Sequence, residues 1–165
     1  MLKRFCLAAA GGMLVAVGLM LAAPAGATST NRIRSMEPDQ FEQMLKNRAE
    51  PTVVVFMASW CAPCIKELPD LNALYAKHRP GGLTFIGVSL DSDGPQAMQP
   101  FIDRLKVEFP VYWIGEAGIE RFNIRRIPLL WFVSDGRIVR KELGNRSRKT
   151  MDQMIVEFMG GTTVR

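Results

Sequence analysis

The chain has 165 residues, enough for one domain with a substantial core plus a short additional segment. Its 21 Lys and Arg outnumber its 16 Asp and Glu and give a formal net charge of +5. The basic residues of the second half come without a nucleic-acid motif or interleaved aromatic residues, so they favour a solvated face and argue against a nucleic-acid-binding protein.

The N-terminal segment has the pattern of an export signal. Lys3 and Arg4 precede an uncharged run at residues 5–23, and residues 25–27 read Ala-Gly-Ala, a small-residue cleavage site. The run is longer than most signal cores and approaches the length of a membrane-spanning helix. The sequence therefore predicts a periplasmic or other extracytoplasmic protein. Residues 1–27 are either a cleaved signal peptide or, through residues 5–23, a membrane anchor, and residues 28–35 are a linker.

The predicted domain, residues 36–165, begins with a helix and a buried strand. Phe41, Met44 and Leu45 are spaced for one face of a short helix that follows Pro38. Residues 52–57 are apolar on both faces, as expected of a central strand covered on both sides.

The later elements alternate between strands and helices. Asp135-Gly136 between two strand-like runs indicates a hairpin. The order predicts an α/β fold of three layers, α/β/α, with a mixed sheet that is parallel early and antiparallel late. The predicted elements after residue 57 are a helix at 61–78, a strand at 83–90, a helix at 95–106, a short strand at 111–114, a helical turn at 118–122, strands at 129–133 and 138–143, and a helix at 149–159.

Cys61 and Cys64 stand where the first buried strand turns into a helix. Unpaired N–H groups and the helix dipole favour a thiolate at a helix N-terminus, so Cys61 is predicted to be a nucleophile. Cys64 lies one turn further and is predicted to resolve a mixed disulfide held on Cys61. Two alternatives for this cysteine pair are that it supplies two of the ligands of a zinc site or that it forms a structural disulfide. A zinc site normally needs four ligands, for which Cys6 and His78 would be the remaining candidates, and a bridge across so short a loop gains little entropy.

The same residues carry a family resemblance. Trp60-Cys61-Ala62-Pro63-Cys64 resembles the active site of thioredoxin-fold proteins. The longer pattern Cys-x-x-Cys-x-x-Glu-x-Pro, which ends at Glu67 and Pro69, is similar to the TlpA/ResA/CcmG branch of extracytoplasmic thiol oxidoreductases. This resemblance implies a thioredoxin fold with the strand–helix insertion of that branch, over roughly residues 36–160.

The resemblance also implies a substrate-binding surface beside the cysteines. It places a cis-proline at Pro128, facing the pair, with the backbone of Ile127 free to bind an extended chain. The proline ring lacks an N–H donor and shields the thiols from metal ions. An ordinary trans-proline at a strand start is the alternative. Trp60 is interpreted as a rigid apolar wall, with a core role as its alternative, and Pro63 is assigned to the same surface.

Glu67 is a candidate for proton handling. It follows Cys64 by three residues and so shares its side of the helix. We hypothesise that a partly desolvated Glu67 has a raised pKa and exchanges the proton of the buried thiol; the alternative is a solvated surface glutamate. Val55 occupies a position where ordinary thioredoxins carry a buried acidic residue, which leaves proton handling to Glu67 or water.

Together these features predict an exported thiol–disulfide oxidoreductase that reduces disulfides of periplasmic proteins and needs no cofactor or metal ion. Ala62-Pro63 adds no charge or donor beside the thiols, which favours a moderately low reduction potential. Apocytochrome c is one substrate that the resemblance suggests. A membrane thiol reductant of the DsbD/CcdA kind would supply the electrons.

Two other functions remain as alternatives. Thiolates suit Cu(I), so a copper carrier for oxidase assembly is possible, although Sco-like carriers use a wider cysteine spacing and a later histidine that this chain lacks. A thiol peroxidase is the third function, but its Pro-x-x-x-Thr-x-x-Cys pattern is absent.

Overall fold

A six-stranded sheet with helices on both faces forms the domain in the computed structural model, which describes residues 31–161. The predicted signal or anchor, residues 1–27, lies outside the described residues, as do residues 28–30 of the predicted linker. The strands are β1 (Arg34–Ser35), β2 (Thr52–Met57), β3 (Thr84–Ser89), β4 (Val111–Trp113), β5 (Leu129–Ser134) and β6 (Arg137–Leu143). The helices are α1 (Pro38–Lys46), α2 (Ala62–His78), α3 (Pro95–Arg104), α4 (Gly115–Arg121) and α5 (Arg148–Met159).

The sheet has the strand order β1-β4-β3-β2-β5-β6. The first four strands in that order pair in parallel, and β5 and β6 add antiparallel. Every residue of β2 is buried, because β2 lies between β3 and β5 and is covered on both faces. The predicted three-layer α/β fold with a mixed sheet is confirmed, and α3 with β4 supplies the additional helix and strand before α4.

Alternation along the strands divides the core into two apolar clusters. Val53, Val55 and Met57 of β2 face the cluster that contains Cys61, Cys64 and residues of α2, α3 and α5. Val54 and Phe56 face the opposite cluster, which contains residues of α1 and the neighbourhood of α4. The cysteine pair is thus continuous with the larger cluster.

Part of the segment that the sequence places in a linker, Arg34–Ser35, belongs to the sheet as β1. β1 pairs in parallel with β4, Arg34 opposite Tyr112 and Ser35 opposite Trp113. The Asn31 side chain donates to the carbonyl oxygens of Val107 and Phe109 at 2.8 and 2.7 Å. These bonds fasten the segment to the domain, so the linker interpretation is wrong for its described part.

No helix within residues 31–161 combines the length and the apolar character required to cross a bilayer.

Candidate active site

The cysteine pair lies at the N-terminus of α2. β2 ends at Met57, and a short turn carries the chain to Cys61, the residue that caps α2. The Cys64 N–H donates to Sγ of Cys61 at 3.3 Å, and the two sulfurs are joined in a disulfide with their Cα atoms 5.3 Å apart. Both cysteines are buried, whereas the adjacent Trp60 is 65% exposed. The core alternative for Trp60 therefore does not hold, and its role in binding substrate stays a prediction.

The loop before β5 lies against this end of the sheet. The peptide bond between Ile127 and Pro128 is cis, the geometry expected from the sequence. Leu129, the next residue, pairs with Phe56 near the end of β2, and Ile127 packs against the cluster that contains both cysteines. The structure thus brings Ile127 and Pro128 to the cysteine end of β2; their binding of a client chain stays a prediction.

Glu67 is buried, not solvated. Its side chain lies on α2 one turn beyond Cys64, and the residue is 3% exposed. Oε1 accepts a hydrogen bond from the Arg146 N–H at 3.2 Å, and Oε2 has no partner among the described residues. Burial raises the pKa of Glu67, and the bond from Arg146 opposes that rise in part. These surroundings suit a carboxyl group that exchanges a proton, although the exchange itself stays a prediction.

A second buried carboxylate, Asp91, holds the turn that leads to Cys61. Its Oδ1 accepts from the N–H and the hydroxyl of Ser59 at 2.9 and 2.6 Å, and its Oδ2 accepts from the Ser89 hydroxyl at 2.7 Å. Its carbonyl oxygen accepts from the Trp113 indole at 2.7 Å. No local pattern predicts this contact, since Ser59 and Asp91 are 32 positions apart in the sequence.

The loop after β6 is the other part of the site that the sequence did not reveal. The Gly144 N–H donates to the carbonyl oxygen of Pro128 at 2.8 Å. The Asn145 side chain lies 3.5 Å from the carbonyl oxygen of Pro63, and the Arg146 N–H reaches Glu67. Three consecutive residues therefore connect the cis-proline loop with the first turns of α2.

Within residues 31–161, no group of three or more His, Cys, Asp or Glu side chains is placed to hold a metal ion.

The chain is similar to proteins that are named thiol–disulfide oxidoreductases. The AhpC/TSA family model matches residues 35–141. Thiol-disulfide oxidoreductase ResA of Bacillus cereus is 30% identical over 100 residues, 59% of this chain and 57% of that protein. Sporulation thiol-disulfide oxidoreductase A of Bacillus subtilis is 25% identical over 117 residues, 68% of this chain and 71% of that protein. The chain thus spans a little over half the length of the ResA relatives that it matches.

Solved structures show the same fold. StoA from Bacillus subtilis superposes with a TM-score of 0.58 at 25% identity, over 66% of this chain and 84% of that one. A thiol:disulfide interchange protein of the thioredoxin family from Chlorobium tepidum gives a TM-score of 0.62 at 24% identity, over 72% and 85%. The second likeness shows the thioredoxin fold alone.

Proposed function

The chain belongs to the AhpC/TSA family, and from that premise we propose that it is an exported thiol–disulfide oxidoreductase that reduces disulfides in client proteins through Cys61 and Cys64. The observation that carries this proposal is the placement of the pair: Cys61 caps α2 and is bonded to Cys64 one turn further in. The names of the relatives agree with this activity.

The reaction passes two electrons from the dithiol to the client. The Cys61 thiolate attacks one sulfur of the client disulfide, so that the client S–S bond breaks, a mixed disulfide forms, and the other client sulfur leaves as a thiolate and takes a proton. Cys64 loses its proton and attacks the sulfur of Cys61. The second client thiolate is released, and the Cys61–Cys64 disulfide of this structure forms.

Residues around the cysteine pair bind the client and transfer the proton. The cis-proline loop presents the backbone of Ile127 to an extended client chain, and Trp60 with Pro63 forms the exposed wall beside the sulfurs. Glu67 accepts the proton of Cys64 and returns it when the pair is reduced again. This role is contradicted if Glu67→Gln leaves the pH dependence of thiol reactivity unchanged.

The proposed setting is the periplasm. Residues 1–27 direct export and, if retained, tether the domain to the membrane. A membrane dithiol protein of the DsbD/CcdA kind then supplies two electrons and two protons for each turnover. The proposed clients are apocytochromes c, whose disulfides the protein reduces.

The deciding measurement is the equilibrium reduction potential of the pair in the full chain, poised against dithiothreitol or glutathione. A value near that of thioredoxin, about −270 mV, supports a reductase. A value near that of DsbA, about −120 mV, reverses the proposed direction. Absence of a reversible two-electron transition excludes the exchange activity.

A further inference from the structure

A basic cleft lies beside the cis-proline loop on the face of the sheet that carries α1 and α4. Its volume is about 330 Å³. Its floor and walls come from β5, β6 and the segment that follows α4. The lining includes Phe122, Arg125, Arg126, Trp131, Lys141 and Leu143. Among residues 31–161, no acidic residue lines this cleft.

The strand register explains why the walls are apolar and the rim is charged. Trp131 pairs with Lys141 and Leu129 pairs with Leu143, so these side chains share one face of the hairpin. The Lys141 ammonium lies 4.6 Å from the centre of the Trp131 ring, and Trp131 itself is 2% exposed. This contact holds the Lys141 ammonium against the aromatic wall of the cleft.

The three cations of the cleft have no carboxylate partner among the described residues. Arg121, Arg140 and Arg146, by contrast, each form an ion pair with Glu or Asp. Arg125 donates to the Asn123 side chain at 3.3 Å, a neutral partner, and Arg126 and Lys141 form no ion pair within residues 31–161. The cleft therefore concentrates positive charge that the rest of the domain does not neutralise.

The position of the cleft connects it to the reaction. Arg125 and Arg126 immediately precede Ile127, whose backbone is the proposed contact for an extended client chain. A client segment that pairs at Ile127 and continues along the loop passes both arginines. A concave site next to this backbone suits a polypeptide better than a flat membrane surface.

We propose that the basic cleft binds acidic side chains of the client polypeptide that lie a few residues from the reacting cysteine. The inference rests on the proposed function and adds a preference among clients. Carboxylates meet the planar guanidinium groups of Arg125 and Arg126 in forked geometry, with Lys141 as a point charge on the opposite wall. The cleft thereby favours client disulfides flanked by Asp or Glu.

The test compares two disulfide peptides that differ only in Asp and Glu against Asn and Gln beside the cysteine. We expect the full chain to reduce the acidic peptide with a kcat/KM about fivefold higher at low ionic strength, since each exposed charge pair contributes modestly. In Arg126→Gln/Lys141→Gln this ratio falls to about one. The control Arg137→Gln/Lys149→Gln removes two exposed cations outside the cleft, matches the change in net charge, and keeps the ratio.

Each other outcome also decides the question. Equal rates on both peptides with the wild-type chain overturn the inference, as does an equal loss in the control. Binding of vesicles rich in anionic lipid through Arg126 and Lys141, without a peptide preference, also overturns it. If neither peptide is reduced, the proposed function fails, and the cleft is then tested by binding of the acidic peptide with Ser in place of Cys. Binding that is lost in Arg126→Gln/Lys141→Gln and kept in the control supports the proposed role of the cleft. Absence of binding to the wild-type chain overturns that role.

Discussion

Two buried carboxyl groups, those of Asp91 and Glu67, differ in their hydrogen bonding at the candidate active site. Both oxygens of Asp91 accept hydrogen bonds from serine hydroxyls or backbone. One oxygen of Glu67 has no partner among the described residues, and the other accepts a single N–H. A carboxylate with both oxygens hydrogen-bonded fixes the geometry of its partners, whereas the unbonded oxygen of Glu67 is free to hold a proton. We therefore expect Asp91 to position the turn and Glu67 to titrate.

The raised pKa of Glu67 predicts how its removal changes stability with pH. Because burial disfavours the charged form, the folded protein holds this proton to higher pH than the unfolded chain. The stability associated with the protonated group is complete below the ordinary pKa of glutamate, about 4.3, and is lost as pH rises through the raised pKa. The side chain introduced by Glu67→Gln is neutral at every pH, so this variant does not lose that stability. We therefore expect the free energy of unfolding of Glu67→Gln, relative to that of the wild type, to increase as the pH rises.

Urea unfolding of the oxidised protein between about pH 4 and pH 8 checks this expectation. Glu120→Gln, at an exposed position on α4, is the matched control and should show no such trend. A constant difference between Glu67→Gln and wild type at all pH values would exclude a titrating Glu67.

Asp91 should act on Cys61 through the turn at Ser59. Asp91→Ala leaves the Ser59 N–H and the Ser89 hydroxyl without their acceptor, so we expect a loss of about 3 kcal/mol in stability. We also expect reduced Cys61 to react with a small disulfide on the order of tenfold more slowly. Asp91→Asn retains an acceptor oxygen for Ser59 and should restore most of the rate.

The neighbouring Asp93→Ala removes an exposed carboxylate from the same loop and serves as the control. Equal reaction rates in Asp91→Ala and Asp91→Asn, at a temperature where both are folded, would show that Asp91 does not position the turn.

At the scale of elements, the hairpin between β5 and β6 depends on Gly136. Its φ is +70°, and a Cβ built there would lie 2.2 Å from the backbone oxygen of Lys46 at the end of α1. Gly136→Ala therefore combines backbone strain with a clash against backbone, and we expect a loss of about 2 kcal/mol or more. Gly82 has a φ of +91° with nothing within 4 Å of its Cβ position, so Gly82→Ala should cost less.

Urea denaturation measures the loss of unfolding free energy in Gly136→Ala and in Gly82→Ala. Because both positions have a positive φ, the difference between the two losses reports the clash with the Lys46 backbone. Equal losses would mean that α1 moves away without cost.

The elements that the sequence predicted are those with a strong local pattern. β2 is a run of apolar residues, and Asp135-Gly136 is a typical hairpin turn. The predicted bounds of β2, β5 and β6 therefore agree with the observed bounds to within one residue. β1 has two residues, too few for any alternation, and exists because β4 offers it a parallel edge. The helical turn predicted at 118–122 is part of α4, which begins three residues earlier, at Gly115, and ends at Arg121.

The residues of the candidate site also fall into those that a local motif predicts and those that only the fold brings together. Cys61, Cys64, Glu67 and Pro128 lie in or next to recognisable local motifs. Asp91 and the loop at residues 144–146 reach the site from distant parts of the chain, and only the fold brings them there. Contacts between residues 79 positions apart, such as Arg146 with Glu67, leave no local signal in a single sequence.

At the scale of the whole molecule, the Cys61–Cys64 disulfide is part of the core. Cys61 and Cys64 belong to the apolar cluster that extends through β2 and α2 to α5. Val55, which is 2% exposed, belongs to the same cluster and adds only hydrocarbon to it. Reduction replaces the disulfide, which carries no charge, by two polar thiol groups next to apolar surface.

We therefore expect the oxidised protein to be more stable than the reduced protein. By linkage, a folded state that favours the disulfide lowers the reduction potential, and each 30 mV corresponds to about 1.4 kcal/mol for two electrons. Urea unfolding with and without dithiothreitol measures this difference directly. Cys61→Ala/Cys64→Ala, which cannot form the bond, should unfold at one urea concentration under both conditions. Greater stability of the reduced form would instead identify the pair as an oxidant, because stabilisation of the reduced form is what makes DsbA oxidising.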